Sequence, residues 1–79
     1  MLNLRIVSPE KVAYNGEAES VKVPGILGSF EILNNHAPII SALTKGTLRV
    51  VTDGDETKLF EIRGGVVKGQ KNDILILVQ

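Results

Sequence analysis

The side chains able to do chemistry in this chain are few and scattered. The only histidine, His36, stands in the run Asn34-Asn35-His36-Ala37-Pro38. An imidazole acts as a general base when an activated nucleophile and a third, orienting group stand beside it. The available serines, Ser8, Ser20, Ser29 and Ser41, do not sit in a strand-to-helix elbow. His36 therefore reads as a turn histidine hydrogen-bonded to nearby backbone, no catalytic residue is assigned, and the chain is expected not to be an enzyme. The carboxylates Asp53, Asp55 and Glu56 lack the ligand spacing of a calcium loop and read as a solvated hairpin tip. With no cysteine and a single histidine, disulfides, thiolate zinc and histidine-rich metal sites are excluded, and no metal or cofactor is expected. Gly25-Ile26-Leu27-Gly28 is not followed by the Lys-Ser or Lys-Thr of a phosphate loop.

Two kinds of small β-barrel binding module are non-enzymatic alternatives. Lys68-Gly69 near a turn is the kind of place where a biotinyl or lipoyl carrier holds its lysine, but the flanking Met-Lys-Met or Asp-Lys-Ala is absent. An oligonucleotide-binding barrel wants exposed aromatics on a basic face, and two Phe, one Tyr and a net charge of zero supply neither. The balance of nine basic and nine acidic residues also argues against a general nucleic-acid or anionic-membrane binder. Arg63-Gly64-Gly65 reads as backbone geometry rather than an RNA-binding repeat.

The elements that must position these residues are strands. Leu2, Leu4 and Ile6 alternate with polar neighbours, as do Val21 and Val23 about Lys22, and Leu48 and Val50 about Arg49. Phe60 and Ile62 repeat the pattern within Thr57 to Arg63. Turn signals separate the runs: Ser8-Pro9-Glu10-Lys11, Asn15-Gly16 after a short piece from Val12 to Tyr14, Pro24-Gly25, Lys45-Gly46, Asp53-Gly54-Asp55 and Lys71-Asn72-Asp73. Gly64-Gly65 marks a bulge or a close backbone approach before a short Val66-Val67. No window gives a helix. The pattern predicts one all-β domain over residues 1–79, a flattened antiparallel sandwich or barrel of about eight to ten short strands. Hydrophobic content of 43% suits a packed core rather than disorder.

Two stretches stand out. From Val23 to Gly46 the chain holds two of its three prolines and its histidine; Pro38 fixes its own φ and pushes Ala37 toward extended geometry, so the corner at His36 is stiff. Asn34 and Asn35 tolerate left-handed backbone there. Near the end, Ile74 to Val78 is apolar on both faces, which fits a central strand or one whose outer face meets another protein. It is the longest apolar run and far too short to span a bilayer, so no direct membrane insertion is expected.

The same stretches carry a family resemblance. Arg5-Ile6-Val7-Ser8-Pro9, Tyr14-Asn15-Gly16, Val21-Lys22-Val23-Pro24-Gly25, Gly28-Ser29-Phe30-Glu31-Ile32-Leu33, His36-Ala37-Pro38-Ile39-Ile40-Ser41-Ala42-Leu43, Gly46-Thr47-Leu48-Arg49-Val50, Gly64-Gly65-Val66 and Ile74-Leu75-Ile76-Leu77 follow in order. Together they resemble the N-terminal β-sandwich domain of the epsilon subunit of F-type ATP synthases. The resemblance implies a noncatalytic part of the central stalk that couples rotation of the membrane c-ring to the catalytic head. Its implied partners are the gamma subunit, through His36, Ala37, Pro38, Ile39 and Ile40, and the polar loops of the c-ring, through Gly28, Ser29, Phe30 and Glu31. Its implied place is peripheral, on the cytoplasmic face of a bacterial plasma membrane. Two departures accompany it. The family's Gly-Glu-Leu-Gly turn reads Gly28-Ser29-Phe30-Glu31, so the acid moves by two residues along one strand face. The family's C-terminal helical hairpin is missing after Gln79, so neither its inhibitory switch nor its ATP sensing is expected.

Overall fold

The computed structural model describes residues 1–79 as nine strands and no helix. They are β1 (Leu2–Val7), β2 (Val12–Ala18), β3 (Ser20–Gly25), β4 (Gly28–Leu33), β5 (Ile39–Leu43), β6 (Gly46–Val51), β7 (Thr57–Ile62), β8 (Gly65–Gln70) and β9 (Asp73–Val78). One continuous hydrogen-bonded sheet runs β2-β1-β9-β8-β5-β3-β6-β7, with β4 paired to β3. It curls into two layers. The first is β2-β1-β9-β8-β5 and the second β4-β3-β6-β7; they join where Gly25 of β3 pairs with Leu43 of β5. The far edges meet across the core, where the rings of Tyr14 on β2 and Phe60 on β7 lie edge to face with centroids 6.1 Å apart.

The period-two pattern decides what is inside. Leu2, Leu4 and Ile6, Val21 and Val23, Leu48 and Val50, and Ile74 and Ile76 are all buried, and they form a single cluster of 14 apolar side chains with Ala18, Ile32, Leu43, Ile62 and Val67. A one-residue slip in any of these strands would turn its apolar set to solvent, so burial itself holds the register. All pairs are antiparallel but one: β1 and β9 run parallel, Asn3 opposite Asp73 through Val7 opposite Leu77. No hairpin constrains these two strands from opposite ends of the chain, and β9 enters the slot left between β1 and β8.

Two turns fall elsewhere than expected. Asn15-Gly16 is not a turn but lies inside β2, opposite Arg5 and Leu4. The reversal is made at Ser8-Pro9-Glu10-Lys11, closed by bonds between Ser8 and Lys11. The missing side chain at Gly16 is used by the Tyr14 ring, which folds over it and donates its hydroxyl to the Glu17 carbonyl at 2.8 Å. Pro24-Gly25 likewise ends β3 rather than turning; the loop is Ile26-Leu27, between paired Gly25 and Gly28. Pro24 is tolerated because β3 changes neighbour there, from β6 at Ser20–Lys22 to β5 at Gly25, so its absent N–H falls in the gap. Ile39–Leu43 is a full strand paired with β8. At Gly65 the close approach is real: a Cβ would collide with the backbone of Leu77 and Val78.

Candidate partner-binding surfaces

The corner is built around His36. Asn35 takes the left-handed conformation at φ 62°, and its N–H donates to Asn72 Oδ1 at 3.0 Å, tying the corner to the β8–β9 hairpin. The His36 ring turns inward. Its Nδ1–H donates to the Ala37 carbonyl at 2.7 Å, and Nε2 is buried without a hydrogen-bond partner. The ring lies over Gly69, where a Cβ would fall 2.8 Å from His36 Cε1, 2.9 Å from Ile74 Cδ1 and 3.0 Å from Ile39 Cγ2. Gly69 is on the core side of β8, so His36 and Ile39 close one end of the sandwich. Of the corner residues, Ala37, Pro38 and Ile40 remain exposed, Ile40 at 74%.

Ile40 begins an apolar surface that the pairing registers assemble. Across the outer face of the first layer one row runs Ala42, Val66, Leu77, Val7 and Val12, and Ile40, Lys68, Leu75 and Arg5 form the next. Val66, Leu77 and Val12 are roughly half exposed. The run Ile74–Val78 thus does both things its composition allows: it is an interior strand of the sheet, and it also presents apolar side chains outward. Farther along the same face the residues are polar: Asn3, Arg5, Glu17, Lys68, Gln70 and Asp73 border a concavity of about 490 Å³.

The Gly28–Glu31 segment sits beside this surface. The Ile26-Leu27 loop projects from it with Leu27 wholly exposed, and Ile26 N–H donates to the Ala42 carbonyl at 3.2 Å. Between loop and β5 lies a depression of about 550 Å³, bordered by Gly28, Ser29 and Phe30 on one side and Ile40 and Ala42 on the other. The fold therefore brings the two segments singled out in sequence to one end of the molecule. Ser29 and Glu31 point to the same outer face of β4, alternating with half-buried Phe30 and buried Ile32. Nowhere do three or more His, Asp or Glu side chains converge. What these surfaces offer is shape, apolar area and charge, the materials of protein–protein contact.

The family described as ATP synthase, Delta/Epsilon chain, beta-sandwich domain matches residues 1–79. The chain belongs to that family. It is 40% identical over 72 residues to the ATP synthase epsilon chain of Rhodopseudomonas palustris, covering 91% of this chain and 53% of that one. It is 37% identical over 78 residues to the ATP synthase epsilon chain of Caulobacter vibrioides, covering 99% and 90%. Among solved structures it is similar to a chain of the Euglena gracilis mitochondrial ATP synthase (TM-score 0.92, 18% identity, 98% of this chain and 49% of that one). It is also similar to a chain from the Tetrahymena thermophila mitochondrial ATP synthase central stalk and c-ring (TM-score 0.81, 19% identity, 99% and 63%). At such identities the two structures speak for the fold. The chain spans little more than half the length of the first of these relatives. Membership of a β-sandwich family agrees with the all-β fold. The sequence pattern did not mark the outward residues Val7, Val66 and Leu27; only the apolar run of β9 signalled an exposed outer face.

Proposed function

We propose that this domain is a noncatalytic rotor part of a proton-translocating ATP synthase, seated between the gamma subunit and the c-ring. The observation that carries the proposal is the apolar outer face centred on Ile40, Val66 and Leu77, adjoining the Gly28–Glu31 turn. A chain of this size has little apolar surface to leave in water without a purpose. In this reading gamma covers Ile40, Ala37, Pro38 and the neighbouring row through Leu77, while His36 and Ile39 hold the corner from beneath. The ring's polar loops meet Gly28, Ser29, Phe30 and Glu31. The dense sandwich between the two surfaces transmits torque because such interiors compress little. Relatives from bacteria support a place at the cytoplasmic face of the plasma membrane, reached through partners rather than by insertion.

The test is a titration of gamma with Leu77→Asp and Ile40→Asp chains, using Leu59→Asp as the control. Leu59 is 65% exposed but lies on the second layer. Each of the first two substitutions is expected to weaken binding by roughly 1–4 kcal/mol, as at the centre of other interfaces, with the control unchanged. Equal affinities for all three would remove the first layer's outer face from the gamma contact.

A further inference from the structure

On the other side of the Gly25–Ser29 turn from the apolar depression lies a groove of about 610 Å³ with a different character. Lys22, Lys45 and Arg49 line it, and no carboxylate does. Lys22 on β3 and Arg49 on β6 are directly paired across the strands. Like charges so placed repel, and the arrangement costs stability unless an anion joins them. No anion of this chain does so. The single side-chain ion pair is Lys58 with Glu56, elsewhere on the surface. Glu31 stands opposite Lys22 on β4 but lies outside the groove and forms no ion pair with it. Glu61, the other nearby acid, accepts a hydrogen bond from Thr47 Oγ1 at 2.6 Å. Ser29 sits on the lip of the groove beside Gly28, where nothing lies within 4 Å of a Cβ position.

We propose that this groove receives a carboxylate side chain, an Asp or Glu carried by the polar loop of the c-ring. Ser29 and the cations behind it then meet the ring's acid, while Glu31, opposite Lys22 on β4, faces the ring from outside the groove. The inference rests on the reading that Gly28–Glu31 faces the ring, and goes beyond it by naming the chemistry of the partner. A carboxylate between Lys22 and Arg49 relieves their repulsion and makes charge-assisted hydrogen bonds that a neutral side chain cannot. Arg49 supplies the planar fork suited to a carboxylate, and Lys45 a mobile point charge at the rim.

The experiment uses the assembled complex with Ser29→Cys in this chain and single cysteines in the ring loop, following disulfide formation over time. The parent charges should give crosslinking that slows as salt rises from about 0.1 M to 1 M, where the screening length falls from about 10 Å to about 3 Å. Lys22→Gln with Arg49→Gln should slow it about tenfold or more at the lower salt and remove the salt dependence. Lys22→Glu with Arg49→Glu should be slower still, and be restored when the ring-loop acid is exchanged for lysine. Circular dichroism of each variant checks that these exposed substitutions leave the sandwich folded. Crosslinking unchanged by neutralisation overturns the inference while leaving the ring-facing turn intact. Absence of any crosslink from Ser29→Cys in the parent overturns the ring-facing reading itself. Binding to phosphatidylglycerol vesicles that depends on Lys22 and Arg49, with ring crosslinking indifferent to them, overturns the inference in favour of a lipid phosphate.

Discussion

Gly69→Ala is the sharpest probe of the His36 corner. The new methyl would lie 2.8 Å from His36 Cε1, 2.9 Å from Ile74 Cδ1 and 3.0 Å from Ile39 Cγ2, three contacts well inside ordinary van der Waals separation. Ile74 is buried, so it has little room to retreat, and the ring is held by its Nδ1–H bond to Ala37. Overpacking of this kind costs roughly 1–3 kcal/mol. Against it stands a gain of about 0.5–1 kcal/mol, because alanine has less backbone freedom to lose in a strand. The net expectation is a loss of about 1–2 kcal/mol, or a melting temperature lower by about 5–15 °C for a domain of this size. The assay is urea unfolding of the parent, Gly69→Ala, His36→Ala and the double variant. Because the two side chains share one space, the double variant should be more stable than the sum of the single losses predicts, by about 1 kcal/mol. A neutral Gly69→Ala, or single effects that simply add, would mean that the ring does not rest on Gly69 and that the corner is built some other way.

Two further expectations follow from the packing. Gly65→Ala should destabilise more than Gly69→Ala, because the added carbon meets Leu77 and Val78 backbone rather than movable side chains; amide exchange along β8 and β9 should quicken, and unchanged exchange would contradict the close approach. Tyr14→Phe should cost only about 0.5–1.5 kcal/mol, since the ring keeps its contact with Phe60 and loses just the hydroxyl bond to Glu17; a loss above about 3 kcal/mol in thermal unfolding would show that the hydroxyl does more.

What could be read from the sequence follows from what is local. Alternation at Leu2-Leu4-Ile6 and Leu48-Val50 identified strands and their inner faces, because burial enforces the period of two. Asn35 took the left-handed conformation that asparagine permits. Asn15-Gly16 and Pro24-Gly25 misled because a dipeptide's turn preference is weaker than a register fixed by core residues on both strands, Leu2, Leu4 and Ile6 with Ala18 in one case and Val21 and Val23 with Ile32 in the other. The direction of the His36 side chain depends on Gly69, more than thirty positions away, and nothing near the histidine encodes it. The two segments proposed to meet partners, Gly28–Glu31 and His36–Ile40, are marked out by sequence alone; that both border one depression, and that Lys22 pairs with Arg49, follows only once β3, β5 and β6 are in register.

One end of this sandwich is proposed to touch two partners through neighbouring surfaces. The most direct measurement places cysteines at Ile40 and at Ser29 in separate chains of the assembled enzyme, with reporter cysteines in gamma and in the c-ring loops, and identifies each crosslinked product by mass. The account predicts that Ile40→Cys captures gamma and Ser29→Cys captures the ring. Capture of neither partner from either position, while a cysteine at Asp55 in the hairpin between β6 and β7 succeeds, would show that the domain is docked by another surface and would contradict this docking.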